Sequence, residues 1–487
     1  MALTGDPTGL VGTSRASSFE QLRLHYWPVF EQHLHDPDQE IQGMFAQKRG
    51  LEIAGQQAVK AATLNRPQGV GSRGEGMRLP TPTGSTFLQF FLNGKKRQFR
   101  FRITPEAEAA ARKSQSAWQD IYSKELQGTR QSFEFNYINA LIKGRAHPLG
   151  RINGTPTAGG VVTLRPRTNR GHAAASFWDQ GLYSTRPNIL VSQPFSVGMR
   201  VAGVSAANGA LGSPYSHATN TWASGDTANN DDTLAQEVYV NAMDASNQAS
   251  PTITLFRNGA AADLSAVAGI DGAFIIPYAN RRASINATAA LAITQYTDCE
   301  GLCTYINDST IISAILGVAR SASDGLQPEI YHQSGTSTIV FTDSIVEHLQ
   351  TVIQILSGKR AQVGFCTWKQ WSYVASEHAN LRRLEPVIGQ GGTSMVGSTP
   401  VGYTYIGGGG SLVFKPHWLA LHKAMFLVTP SEFEWGTEWP MRDEDPRFIP
   451  DYDPREWVGS MQGNMHCGAI FQHAMVDDLA ETTFAPL

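Results

Sequence analysis

The sequence predicts an α+β protein organised around an extended β-hairpin and the long helix behind it, on three observations. Two apolar-aromatic runs, Thr86–Leu92 and Gln98–Ile103, flank Asn93-Gly94. Asn-Gly between such runs is the strongest short-range hairpin signal, because both residues tolerate the positive φ of a tight turn. Beyond them, Trp118, Ile121, Tyr122 and Leu126, then Phe133, Tyr137 and Leu141, recur at helical spacing as far as Gly144, a natural stop. Downstream the texture changes twice, to short β-type runs as far as about residue 290 and to alternating helix and strand from residue 335.

On the returning strand Phe99, Phe101 and Ile103 share one face and Arg100 and Arg102 the other, so the hairpin is apolar on one side and basic on the other. Lys95 and Lys96 sit at its tip, and no acid lies between Thr86 and Ile103. Thr104 suits an N-cap and Pro105 a first helical position, with Glu106 and Glu108 near the positive end of the dipole. Unbroken, residues 105–143 would span roughly 58 Å; Gly128 and the Ser114-Gln115 step make two consecutive helices nearly as good a reading.

Residues 1–18 are rich in Gly, Thr and Ser, and Phe19–Phe30 is interrupted by Pro28. Gln39–Thr63 carries Ile41, Met44, Phe45 and Leu51 at helical spacing, and Asn65–Gly76 reads as a flexible approach, so everything before the hairpin is an arm. After Gly144, strands are expected at Val161–Leu164, Phe195–Val201, Glu237–Val240, Thr252–Phe256 and Ala273–Ile276, with Ala206–Asp232 as an exposed loop. Ile345, Val346, Leu349, Val352, Ile353 and Leu356 form one helical stripe, started by Thr342 or Asp343 and ended by Gly358. A strand at Gln362–Cys366, a helix around Trp371–His378 and strands at Tyr403–Ile406, Ser411–Lys415 and Ala424–Val428 complete a small α/β layer unit.

At 487 residues the length suits about three domain-sized units. Only 17% of residues are charged against 41% hydrophobic, which suggests a surface largely covered by partners. A formal net charge of −3 argues against a dedicated nucleic-acid binder. Four cysteines are too few for a disulfide scaffold, and no signal pattern or long apolar run points to secretion or a membrane span. The sequons at Asn153, Asn286 and Asn307 are then chance matches.

Chemical motifs are weak. Gly407–Gly410 lacks the Gly-Lys-Ser/Thr of a phosphate cradle, and Gly389–Thr393 has no helix opening behind it. Cys299, Cys303 and His466-Cys467 match no zinc spacing and read as buried thiols. His33 and His35 sit in a polar arm, and His417 and His422 are off one helical face. Glu432–Glu456 is acidic without the spacing of a calcium loop, hence a solvated or partner-facing surface. No catalytic residue, cofactor site or metal site is expected.

The order of these pieces resembles the tailed-phage major capsid family with the Hong Kong 97-like fold. Phe101-Arg-Ile-Thr-Pro-Glu-Ala-Glu-Ala-Ala-Ala-Arg-Lys-Ser114, Ala117-Trp118, Lys124–Gly128 and Asn139–Gly150 are similar to that family's hairpin-to-spine passage. Glu300–Leu302 with Gly317–Ser321, and Trp435–Glu456 with Gly463–Met465, resemble its return and closing segments. The resemblance implies an N-terminal arm (1–72), an E-loop hairpin (73–104), a spine helix and start of the peripheral domain (105–165), a peripheral domain with β-rich insertion (166–299), an axial domain (300–430) and a returning peripheral segment (431–487). It implies no enzyme but a virion shell protein, assembled in the host cytoplasm as hexamers and pentamers around double-stranded DNA. Portal protein, a separate scaffold and decoration proteins would be its other partners, with no sequence-specific DNA contact. Phe87, Phe90, Lys95, Lys96, Arg97, Phe99, Arg100, Phe101 and Arg102 would touch a neighbouring subunit. The candidate acidic counter-surface is Glu432, Glu434, Glu438, Asp443, Glu444, Asp445, Asp451, Asp453 and Glu456, reached between chains because the hairpin is not expected to reach its own return segment. A bacterial encapsulin-like nanocompartment shell shares the fold but is usually shorter, and an enzyme of unknown class is the alternative of a different kind.

Overall fold

The computed structural model describes residues 48–52, 58–63, 84–103, 115–144, 149–166, 195–216, 223–224, 238–244, 250–277, 299–332, 338–379, 403–448 and 455–480, with short breaks inside some of these stretches. In chain order the first elements are β1 (Lys48–Glu52), β2 (Ala58–Thr63), β3 (Phe87–Leu92), β4 (Lys95–Ile103) and α1 (Gln115–Lys143). The β-rich part holds β5 (Gly150–Arg151), β6 (Val161–Thr163), β7 (Arg200–Ala207), β8 (Ala210–Ser216), β9 (Ala223–Ser224), β10 (Val238–Asp244), β11 (Thr252–Arg257), β12 (Ala260–Ala261) and β13 (Phe274–Pro277). Then follow α2 (Leu302–Tyr305), β14 (Ala314–Ile315), β15 (Val318–Ala319), β16 (Glu329–Tyr331), α3 (Asp343–Ser357), β17 (Val363–Cys366), α4 (Trp368–Ala379), β18 (Tyr403–Gly407), β19 (Gly410–Pro416) and β20 (Met425–Val428). The chain closes with β21 (Phe433–Phe448), β22 (Arg455–Cys467) and β23 (Ala474–Val476). The fold is α+β.

The expected hairpin is corrected. Among the described residues β3 and β4 do not pair with each other, and neither Asn93 nor Gly94 takes the positive φ of a tight turn; Phe90, Asn93 and Lys95 meet His466, Asn464 and Gly463 in succession, so the chain runs on along β22. β3 pairs antiparallel with β2, from Ala58 opposite Leu92 to Thr63 opposite Phe87. β4 lies antiparallel along β22, from Lys95 opposite Gly463 to Ile103 opposite Arg455, and ends the four-stranded order β1-β21-β22-β4. Gln39–Thr63, read at helical spacing, contributes the strands β1 and β2 instead; β2 alternates half-buried and exposed, so its period of two prevails.

α1 runs through Gly128 as one helix and stops at Gly144, whose φ of +67 is the left-handed conformation glycine adopts without strain. A side chain at Gly144 would also strike Gly301 at the start of α2, where the two backbones nearly touch. The helix start expected at Pro105 lies outside the described residues. In the β-rich part the strands around residues 161, 238, 252 and 274 form as expected and pack one core of Leu149, Val162, Phe195, Val240, Ile253, Leu255 and Ile275. Two expectations there are corrected. The strand expected from Phe195 begins at Arg200, with Phe195 buried against this core, and the stretch expected to be a loop carries β8 and β9, β8 pairing with β7.

α3 matches its expected bounds, with Thr342 at the N-cap position, its side chain making no capping bond, and Gly358 ending it at φ +71. Its inner face, Val346, Leu349 and Ile353, is buried, while Leu356 at its end is exposed. It covers the sheet β16-β23-β20-β17-β19-β18, in which β23 from the chain's end lies between β16 and β20. The closing segment therefore supplies a strand of the α/β unit.

Candidate interaction surface

Each expected contact residue has a definite place. On β4 the odd positions face α1. Phe99 packs edge-on against Phe133 at 5.2 Å between ring centroids, and Phe101 stacks on Trp457 at 5.1 Å. Arg97 donates to the Asn136 carbonyl at 3.1 Å and lies over the Tyr137 ring. Lys95 is half-buried. Phe99 and Phe101 are thus covered by their own chain, which corrects the expectation that a neighbour must cover them. Opposite Phe99 stands Gly459, where a Cβ would lie 2.1 Å from the ring, so the absence of a side chain makes the seat for Phe99.

The even positions Lys96 and Arg100 point to solvent. Arg102 is opposite Glu456 in register, and Arg100 reaches Glu456 diagonally at 3.5 Å. The basic strand therefore reaches its own return segment, against expectation. Other acids are also partnered within the chain. Glu432 receives Lys359 at 2.9 Å, Glu434 receives Lys60, and Glu438 accepts from Gln462 at 2.6 Å. Asp443, Glu444 and Asp445 lie on β21; Asp451 and Asp453 lie outside the described residues. A nonlocal pairing of strands more than 350 residues apart joins these charges, so spacing in sequence carried no signal of it.

Among the described residues, apolar side chains stay exposed at Val340, Ile355, Leu356 and Trp368 of the α/β unit and on the other ribbon. β2–β3 turns Phe90 and Leu92 into the core and presents Val59, Phe87 and Phe91 on its outer face, at 56%, 60% and 40% exposure. Val59 and Phe91 are directly opposite each other, as are Thr63 and Phe87. Sequence reading selected Phe87 and passed over Val59 and Phe91; the apolar residues at both parities of Phe87-Leu-Gln-Phe-Phe-Leu92 were the available signal.

The interior below this surface is electrostatically quiet. Cys467 Sγ lies 3.2 Å from His473 Nε2, the one cysteine–histidine contact in the described hydrogen bonds. Burial pushes the thiol well above its ordinary range and the imidazole down to about 3, so thiol and neutral ring persist and no thiolate nucleophile forms. Burial lowers Lys143 to about 8 at the end of α1. Arg320 is buried, its guanidinium donating to the carbonyls of Leu326, Thr304 and Tyr305 and so closing the end of α2. All four cysteines are free and buried. Among the described residues no cluster of metal-ligating side chains occurs and no helix is long and apolar enough to cross a membrane.

No family model matches the chain, and no curated protein matches it. Among solved structures it is similar to one described as the cyanophage A-1(L) capsid asymmetric unit, at 10% identity and a TM-score of 0.45, with 94% of this chain and 98% of that chain covered. It is also similar to the capsid of Myoviridae phage XM1, at 7% identity and a TM-score of 0.39, covering 94% of this chain and 98% of that one. A third is the capsid structure of cyanophage P-SCSP1u, at 9% identity and a TM-score of 0.40, covering 99% of both chains.

Proposed function

We propose that the chain is a major capsid protein that self-assembles, as hexamers and pentamers, into the icosahedral shell of a tailed double-stranded DNA phage. The observation that carries this reading is the combination of a long helix, a strand laid along a distant return ribbon, a separate α/β unit, and a second ribbon whose outer face is aromatic and uncovered. Exposed apolar ribbon faces need partners. In a closed shell many modest contacts of this kind act together, so avidity replaces single-contact strength. The order of elements follows the sequence resemblance, with β2–β3 and the start of β4 in the position of the E-loop, α1 as spine and the six-stranded sheet as axial unit. Intersubunit contact is assigned to Val59, Phe87 and Phe91, with Lys96 and Arg100 at its rim. Portal, scaffold and packaged DNA would be its partners in the virion.

The test is an electron micrograph of negatively stained, purified protein, expressed alone and together with a scaffolding protein. Shells of uniform diameter support the reading. A small soluble oligomer under both conditions overturns it.

A further inference from the structure

Two sheets meet face to face where β2–β3 lies on β21–β22. Lys60 and Phe90 are directly opposite each other in the first, and Glu434 and His466 are directly opposite each other in the second. The two couples stack. Lys60 Nζ donates to the Glu434 carboxylate in a close ion pair, and the Phe90 ring lies 5.5 Å from the His466 imidazole. Two residues before His466, Asn464 Nδ2 donates to the Asn93 carbonyl at 3.0 Å and holds the ribbon's end. On its flank Phe91 N–H donates to the Leu316 carbonyl at 3.4 Å, and Ala62, Leu88 and Phe90 pack on the main core. A two-stranded ribbon is marginal by itself in water, so its order depends on this attachment.

We propose that Lys60, Glu434 and His466 form an acid-sensitive clasp, which releases the β2–β3 ribbon from the body of the protein while the remaining sheets stay folded.

The groups that face His466 set the sign. Lys60 on β2 brings a positive charge and Glu434 on β21 a negative one; Phe90 on β3 brings none. Cys467, next along β22, points to the opposite face and meets His473. With the ribbon docked, burial first and Lys60 second hold the imidazole at about 3, below its ordinary 6.5. Lifting the ribbon removes Phe90 and Lys60 and returns the ring to water. The released state then binds a proton below pH 6.5 that the docked state refuses, so falling pH favours release. Protonation of Glu434 at lower pH would remove the partner of Lys60 and act in the same direction. The released population should rise about ten-fold between pH 7.5 and pH 5.5.

Amide hydrogen exchange on the full chain tests this, with rates corrected for intrinsic pH dependence. Protection in residues 58–63 and 87–92 should fall about ten-fold from pH 7.5 to 5.5, while β11 and β13 change much less. In His466→Gln, which keeps a polar side chain of similar size but does not titrate, the fall should vanish. His466→Phe, which keeps a ring against Phe90, should behave likewise and serves if the first variant does not fold. Unchanged ribbon protection in the parent chain, an equal fall in β11 and β13, or a fall that persists in the variants would each overturn the clasp.

Discussion

The two strands on either side of Asn93-Gly94 are both aromatic, yet they end in opposite circumstances. β4 alternates phenylalanine with arginine, so one burial event satisfies it. Phe99 and Phe101 go against α1 and Trp457, and Lys96 and Arg100 stay wet. β3 is apolar at both parities, with Leu88, Phe90 and Leu92 on one side and Phe87 and Phe91 on the other. Packing one side onto the core leaves the other exposed. An alternating strand can be completed within its own chain, whereas a strand apolar on both faces needs cover on both, and this chain supplies only one.

The contrast is most sharply tested by placing acids on each strand. Phe99→Asp with Phe101→Asp puts two carboxylates between α1 and β22, and should cost more than about 4 kcal/mol, enough to abolish a cooperative melting transition in calorimetry. If the double variant melts normally, the burial of β4 within the chain is wrong.

Gly459→Ala presses a methyl group into the Phe99 ring and should cost about 1–3 kcal/mol by denaturant titration. Combining it with Phe99→Leu should recover part of the loss, because the smaller side chain frees the space. Additive losses would show that the two positions are not in contact.

Phe87→Ser with Phe91→Ser should change stability by about 1 kcal/mol or less, since these rings are already 60% and 40% exposed. The same variant should fail to form particles in sedimentation experiments. A large stability loss with normal particles would invert the comparison between the strands.

Glu456→Gln should have the smallest effect, less than about 0.5 kcal/mol, because the Arg100 side chain is 64% exposed and its bond is long. Because Glu456 is engaged within the chain, salt that screens it should alter the melting temperature slightly and the assembly rate little. A strong salt dependence of assembly, measured by light scattering, would return this charge pair to the subunit interface.

Legibility followed the range of the physics. α3 was readable from Thr342 to Gly358 because its stripe, cap and terminating glycine are local signals. The stop of α1 at Gly144 was readable for the same reason. The expected helix in Gln39–Thr63 failed where apolar residues at helical spacing competed with an edge offered by β21 and β3. The seat at Gly459 and the cover that Trp457 gives Phe101 could not be read, because neither residue lies near β4 in sequence.

By itself, then, the sequence determined the alternation of β4, the long helix and the bounds of α3, each of which depends on residues within a few positions of one another, while the turn expected at Asn93-Gly94 did not form. The tertiary structure alone decided which strand each of them pairs with. The Asn-Gly signal is local, while the nine-residue register of β4 on β22 adds a full ladder and a stacked aromatic pair. The nonlocal pairing prevailed, and it left β3 to β2 with its outer aromatic face exposed among the described residues.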